Sequence, residues 1–189
     1  MNFSAKQLVF RSASQLLYFY LNPKKNKPTK SQLEGEKYAK SIAESHLREM
    51  RGAYTVGSHT IYYAFDEVRN QTYLEVKQPG KYPEYFFRYS LLQLALYAAM
   101  TFKGQTLKSA KFTGESHIHK VKKNRQFILI YNKKKYEITV LKRKTLRQFF
   151  INKVNVIASL DYAQTKRFDK NTKFKYYQRL KHTFTFKRI

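Results

Sequence analysis

Two β-rich segments separated by only three residues are the feature that most limits how this chain can fold. Ser58–Val68 and Thr72–Gln78 flank Arg69-Asn70-Gln71, a pattern that predicts a β-hairpin. Pro79-Gly80 follows and ends the second strand. The next regular segment, Arg88–Phe102, carries apolar residues over much of a helical surface. Strands followed closely by an apolar helix predict an α/β fold.

The remaining segments extend this pattern along a chain of 189 residues, a length typical of one domain. Two further helices are predicted before the hairpin, and the second of them has Gly52 just beyond its end. Another strand, a second hairpin across Asn132-Lys133-Lys134 and a late helix are predicted after Phe102. The predicted ranges, in chain order, are Ser12–Leu21, Glu34–Met50, Thr106–Thr113, Gln126–Tyr131, Lys135–Leu141 and Thr145–Ala158.

Positive charge is the strongest signal in the composition. The chain has 38 Lys and Arg against 12 Asp and Glu, a formal net charge of +26. Residues 98–189 hold 24 of the basic and only four of the acidic side chains. A body this cationic repels itself unless a polyanion neutralises it, so nucleic acid is the expected partner.

The same composition excludes several other classes. No stretch approaches the ~20 apolar residues of a spanning helix, so no membrane partner and a cytoplasmic location are expected. The absence of cysteine excludes disulfides, zinc-thiolate sites, iron–sulfur clusters and cysteine nucleophiles. The small size and a composition rich in residues with AT-rich codons are compatible with a phage or mobile-element origin in a bacterial host.

Acidic and basic residues converge at the first hairpin. Asp66 lies near the end of one predicted strand, and Glu75 and Lys77 share one face of the next. Two converging carboxylates would bind a hard divalent cation such as Mg²⁺, which can polarise a phosphodiester and activate water. Lys77 could then stabilise the developing negative charge. The alternative is that Glu75 and Lys77 form a simple same-face ion pair on a solvated strand.

Four motifs in order resemble the PD-(D/E)XK nucleases, in the branch of RecB-like, lambda-exonuclease-like and CRISPR-adaptation exonucleases. Ser12-Ala13-Ser14-Gln15-Leu16 followed by Asn22-Pro23 is similar to the opening motif of RecB-like members. His46 falls where that branch often has a metal-binding histidine, on the predicted helix before the strands. Asp66 with Glu75-Val76-Lys77, and then Gln93-Leu94-Ala95-Leu96-Tyr97, resemble the central motifs and the Gln-x-x-x-Tyr motif.

The resemblance implies a PD-(D/E)XK core, a mixed central sheet flanked by helices, and Mg²⁺- or Mn²⁺-dependent DNA hydrolysis, with exonuclease action favoured. The metal ligands would be Asp66, Glu75, the carbonyl of Val76 and His46, with Glu44 or Glu49 of the same helix as the alternative acidic ligand. Lys77 would assist the attack, and Gln93 and Tyr97 would orient Lys77 or a phosphate. Asn22 stands where relatives have cysteine, so an iron–sulfur cluster is not expected.

The domain prediction divides the chain by these roles. Residues 1–113 would form the nuclease core, and residues 114–189 a basic hairpin and helix packed on the same domain. The basic residues of this extension are predicted to contact DNA phosphates: Lys133, Lys134, Lys135, Lys142, Arg143, Lys144 and Arg147. The rival hypothesis is a non-catalytic DNA-binding or structural protein, such as a virion or recombination accessory, built on a nuclease-like scaffold.

Overall fold

The computed structural model describes residues 9–10, 30–56, 59–78, 84–109, 117–158 and 170–189. Its helices are α1 Lys30–Ile42, α2 Glu84–Met100, α3 Arg143–Ala158 and α4 Lys170–Leu180, with a short 3₁₀ turn at Lys181–Thr183. Its strands are β1 Val9–Phe10, β2 Arg48–Val56, β3 His59–Arg69, β4 Thr72–Lys77, β5 Thr106–Ser109, β6 Ile118–Lys120, β7 Gln126–Tyr131, β8 Lys134–Val140 and β9 Phe184–Arg188.

The described strands form one mixed sheet in the order β6-β5-β2-β3-β4-β7-β8-β9, with β1 paired to β3 outside this path. The β4–β7 and β1–β3 pairs are parallel, and the other pairs are antiparallel. The parallel β4–β7 pair joins the two hairpins at the centre of the sheet. This confirms the predicted α/β class with a mixed central sheet.

Helices cover both faces of this sheet. α2 is buried at every position from Tyr89 to Met100, as expected for a helix that is apolar on all sides. It packs between β7–β8 and the pair α3 and α4, forming the larger core. On the opposite face, α1 contributes Tyr38, Ala39 and Ile42 to a smaller core with apolar residues of β4 and β7.

The helix predicted over Glu34–Met50 is shorter and is shifted toward the N-terminus. α1 ends at Ile42, and β2 begins at Arg48 and pairs with β3 along most of its length. The buried carboxylate of Glu67 on β3 accepts the backbone N–H groups of Glu44 and Ser45 at 3.0 and 2.9 Å. A tertiary partner therefore takes the donors that would have continued the helix.

Gly52 is not a helix terminator, as the sequence suggested, but an interior residue of β2. The ring of Tyr63 on β3 lies over it, and a Cβ at position 52 would stand 2.6 Å from the Tyr63 Cζ. The hydroxyl of Tyr63 donates to the Met100 carbonyl at 3.1 Å, which links β3 to the end of α2. The absence of a side chain at position 52 allows this close approach.

The two hairpins and the helices at Glu84–Met100 and Arg143–Ala158 confirm the corresponding predictions to within a few residues. Residues 114–189 contribute β6, β7, β8 and β9 to the common sheet, where β6 and β9 stand at the two ends of the strand order and β7 and β8 lie inside it. The last thirty residues, which carry no clear pattern, contain α4 and the edge strand β9. The predicted helix Ser12–Leu21 and the motif from Ser12 to Pro23 lie outside the described residues.

Candidate active site

A fork between β3 and β4 lies at the centre of the candidate site. The two strands pair at three positions next to their turn, ending with Glu67 opposite Leu74. Beyond that point β4 stays paired with β7 as far as Lys77, whereas no pair between β3 and β4 continues. Asp66 and Glu75 are the first residues past the last pair, so the fork opens at these two carboxylates.

Asp66 reaches across the fork to the backbone of β4. The Val76 N–H donates to Asp66 Oδ2 at 2.7 Å, so this edge of β4 is turned toward Asp66. Because the N–H and the carbonyl of one residue point to the same side of a strand, the Val76 carbonyl also faces the fork. Asp66 and the backbone of Val76 therefore meet at the fork, and the charge of Glu75 acts on Asp66; that these groups hold a metal stays a prediction.

The electrostatics of Asp66 are those of a crowded, partly buried carboxylate. Burial, followed by the nearby Glu75 and then Glu49, raises the pKa of Asp66 to about 8, although Lys77 and the Val76 N–H act in the opposite direction. At neutral pH Asp66 therefore holds a proton unless a cation replaces it. A bound divalent cation would remove this proton, because carboxylate ligands bind metal in their ionised form.

Glu75 is buried, with 5% of its surface exposed, and uses only one of its two oxygens. Lys77 Nζ donates to Glu75 Oε1 at 3.0 Å, which confirms that the two side chains share a face. Glu75 Oε2 is buried and has no hydrogen-bond partner among the described residues. A buried carboxylate oxygen without a donor is costly, and a cation is one group that would satisfy it.

Gln93 and Tyr97 lie on one face of α2, as their spacing predicts. Gln93 Nε2 donates to the Tyr97 hydroxyl at 2.8 Å. The ring of Tyr97 packs against Tyr63 and Phe65 in the core, with centroid distances of 5.5 and 5.9 Å. Tyr97 is thus a buried core residue that holds Gln93, and the role of the pair in orienting Lys77 or a phosphate stays a prediction.

Gln93 itself carries a second unsatisfied oxygen. Its Oε1 is buried and has no hydrogen-bond partner in the part of the chain that the structure describes. Lys77 Nζ lies 6.0 Å from the ring centre of Phe86 at the start of α2, and Gln93 follows Phe86 after about two helical turns. The start of α2 therefore approaches the face of β4 that carries Lys77, and Gln93 lies further along the same helix.

His46 lies in the segment between α1 and β2, not on a helix as predicted, and its side chain is exposed. Its ring contacts that of His117 edge to face, with centroids 5.0 Å apart. Both histidines line a cleft of about 480 Å³ together with Lys37, Lys40, Arg48 and Glu49. We call this the α1–β2 cleft.

The two carboxylates proposed as alternatives to His46 have different surroundings. Glu44 is exposed and pairs with Arg69 at 3.1 Å. Glu49 has a left-handed backbone with φ of 49° and lies opposite Asp66, between the register pairs Arg48–Glu67 and Met50–Phe65. Its charge acts on Asp66, so Glu49 is the one adjoining the fork. The strained backbone at a carboxylate next to the site is typical of functional positions.

Glu67 is a residue that the sequence analysis missed. Besides the backbone donors of Glu44 and Ser45 it accepts Arg69 Nε at 2.6 Å, and these bonds lower its pKa although burial acts to raise it. Arg69 also reaches the Ile42 carbonyl at 3.3 Å. This pair fixes the segment that carries His46. The signal available in the sequence was a second acidic residue directly after Asp66.

The predicted DNA-contacting residues fall into two groups, one at each end of strand β8. Lys77 pairs with Tyr131 and Tyr131 with Lys134, so the turn carrying Lys133–Lys135 lies at the same end of the sheet as Lys77. We call these the hairpin lysines. The segment from Lys142 to Arg147 follows the other end of β8, about 20 Å away by the rise of this seven-residue strand.

Arg143 and Arg147 have structural partners at the C-terminus of α2. Arg147 Nε donates to the Ala99 carbonyl at 2.7 Å, and Arg143 Nη1 to the Thr101 carbonyl at 2.8 Å. Arg125 Nη2 donates to the same Thr101 oxygen at 3.2 Å. These bonds cap carbonyls at the C-terminal end of α2 that have no donor within the helix. Arg143 and Arg147 are therefore partly engaged within the fold, Lys142 and Lys144 are exposed, and the phosphate contacts of all four stay a prediction.

In the part of the chain that the structure describes, no group of three or more His, Asp or Glu side chains converges on a common metal position. Within those same ranges no helix is long and apolar enough to cross a membrane. Comparison of the chain with known protein families, curated proteins and solved structures found no match.

Proposed function

We propose that the protein is a divalent-metal-dependent DNA nuclease of the PD-(D/E)XK type. The observation that carries this proposal is the fork at Asp66 and Glu75, where two carboxylates meet and one buried Glu75 oxygen has no donor. Lys77 lies beside them on the same strand. Acid, acid and lysine at one fork are the groups that phosphodiester hydrolysis needs.

The donor set fits Mg²⁺ or Mn²⁺. Asp66, Glu75 and the Val76 carbonyl would hold the metal through oxygen, the ligand type that both ions prefer. A site with two carboxylates also suits Mg²⁺, which commonly keeps waters and takes substrate phosphates as its other ligands. When bound, the metal would polarise a phosphate oxygen and lower the pKa of a water.

The side chains of the protein itself would position the reactants. Lys77, held by Glu75, places a positive charge where the pentacovalent phosphate gains negative charge. Gln93, fixed by its bond to Tyr97, offers Oε1 as a buried acceptor on α2. The hairpin lysines at this end of the sheet supply phosphate contacts that hold the strand near the fork.

Cleavage assays with matched variants test the proposal. The parent should degrade linear DNA with Mg²⁺ or Mn²⁺ and not with EDTA, and a circular substrate distinguishes exonuclease from endonuclease action. Lys77→Ala and Asp66→Asn should each lower the rate at least ~100-fold. Their DNA affinity in EDTA should stay within about threefold of the parent. Lys120→Ala, an exposed change on β6, is the control. Parent-like cleavage by Lys77→Ala would refute the assignment.

The remaining ligand position is tested by metal titration. If His46 binds the metal, His46→Ala should raise the Mn²⁺ concentration for half-maximal rate, whereas Glu49→Gln should do so if the carboxylate opposite Asp66 is the ligand. Glu44→Gln is the control, because Glu44 pairs with Arg69. A variant with unchanged metal dependence excludes its residue from the coordination sphere.

A non-catalytic DNA-binding protein is the second candidate, supported by one observation. The Lys77–Glu75 ion pair satisfies both charges without any metal, and the net charge of +26 is sufficient for DNA binding. Gel shifts that are indifferent to metal, with no degradation under any metal condition, would select this function.

A further inference from the structure

We propose that the α1–β2 cleft binds a backbone phosphate of the DNA strand, with Arg48 as its anchor. This inference rests on the proposed function, because it assigns a path for the strand that reaches the fork. At about 480 Å³, the cleft has the size of typical ligand sites and is large enough for a nucleotide unit.

Arg48 differs from the other partly buried arginines among the described residues. The others hold carboxylates or carbonyls: Arg69, Arg88, Arg125, Arg143 and Arg147. The Arg48 guanidinium makes no hydrogen bond or ion pair with any described residue, and its Nε is buried. A guanidinium that is partly removed from water without an acceptor is unfavourable, and a phosphate is the acceptor that its fork of N–H groups fits best.

The strand register explains why Arg48 has no internal partner. Arg48 lies directly opposite Glu67 on β3, its partner in the strand register. Glu67 already accepts two backbone N–H groups and the Arg69 guanidinium. Its oxygens are therefore committed to the segment after α1, and Arg48 is left facing the cleft.

The remaining charges of the cleft are consistent with an anion next to a metal. Lys37 and Lys40 from α1 join Arg48, against the carboxylates of Glu36 and Glu49. Glu49 is the carboxylate whose charge acts on Asp66, so this end of the cleft adjoins the fork. A phosphate held by Arg48, Lys37 and Lys40 would place its strand beside the carboxylates that are proposed to hold metal.

Binding measurements without cleavage test this site. Fluorescence anisotropy of a labelled DNA duplex in EDTA gives affinity and its salt dependence for the parent, Arg48→Gln, Arg48→Lys and Arg51→Gln. Arg51 is the matched control, because it is an exposed arginine of the same strand that lies over the Tyr62 ring at 5.2 Å and does not line the cleft. Thermal melting confirms that each variant is folded.

Arg48→Gln should bind the duplex about tenfold more weakly, with a log–log salt slope shallower by about 0.9. Arg48→Lys should keep the slope and lose part of the affinity, because it keeps the charge and loses the fork geometry. Arg51→Gln should stay within about threefold of the parent. Equal losses in Arg48→Gln and Arg51→Gln would overturn the proposal, since they would reflect the general positive field.

A second arm separates the strand from a free nucleotide as the source of the phosphate. Thymidine monophosphate is added in thermal-shift experiments to the parent and to Arg48→Gln. Stabilisation of the parent alone, combined with unchanged duplex binding by Arg48→Gln, would assign the cleft to a mononucleotide and overturn the strand path. Because all of these measurements are made without metal, a failure of the nuclease activity would not produce either result.

Discussion

Replacing Asp66 by Asn should remove a pH dependence of stability that the parent shows. The unfolded chain releases the Asp66 proton near pH 3.8, whereas the folded protein keeps it to about pH 8. Between these values the folded state binds one more proton than the unfolded state, so the free energy of unfolding falls as pH rises. Each pH unit is worth at most about 1.4 kcal/mol. From pH 5 to 8 we therefore expect the parent to lose roughly 2 to 4 kcal/mol relative to Asp66→Asn.

Urea unfolding at a series of pH values in EDTA measures this difference, since other titrating groups cancel between parent and variant. Glu84→Gln is the control, because Glu84 is an exposed carboxylate with only a distant partner in Arg88. Added Mg²⁺ at pH 8 should restore stability to the parent and leave Asp66→Asn unchanged. A parent-minus-variant difference that stays constant from pH 5 to 8 would refute the crowding of carboxylates at the fork.

Three further predictions test other features. Replacing the three hairpin lysines by Gln should flatten the salt dependence of duplex binding by up to about 2.7 in log–log slope, at ~0.9 per phosphate contact; an unchanged slope would place the DNA elsewhere. Arg147→Ala should lower stability by about 1 to 3 kcal/mol in urea unfolding, because the Ala99 carbonyl loses its buried donor. Gly52→Ala should destabilise by about 1 to 3 kcal/mol through its clash with Tyr63, whereas Gly35→Ala, in helix α1 with open space around its Cβ, should stabilise by up to about 1 kcal/mol.

Local signals predicted the two hairpins and the central helix because each depends on neighbouring residues. Asn70 and Asn132 occupy left-handed turn positions with φ of 53° and 50°, which Asn tolerates well. The early end of α1 could not be predicted in this way, because its cause is Glu67, a residue more than twenty positions later. The parallel pairing of β4 with β7 is equally non-local.

Within the site, the alternation of a strand was enough to place Glu75 and Lys77 on one face. It could not distinguish arginines that cap a helix from arginines that face solvent, since Arg143 and Arg147 lie in a charged segment that resembles any exposed basic surface. Their partners are backbone carbonyls of Ala99 and Thr101, which carry no side-chain signal. The position of Glu49 opposite Asp66 was equally invisible in the sequence, because it depends on the β2–β3 register.

The parallel β4–β7 pair also determines how late during synthesis the end of β4 can acquire its strand partner. The half of β4 that carries Glu75, Val76 and Lys77 has β7 as its strand partner, and β7 comes about fifty residues later. Until Gln126–Tyr131 leaves the ribosome, this segment is an unpaired edge next to the open fork. Glu75, Val76 and Lys77 can therefore reach their final positions only after most of the chain has been made. A nascent chain that stops at residue 113 would present the acidic motif without the strand that holds it in place.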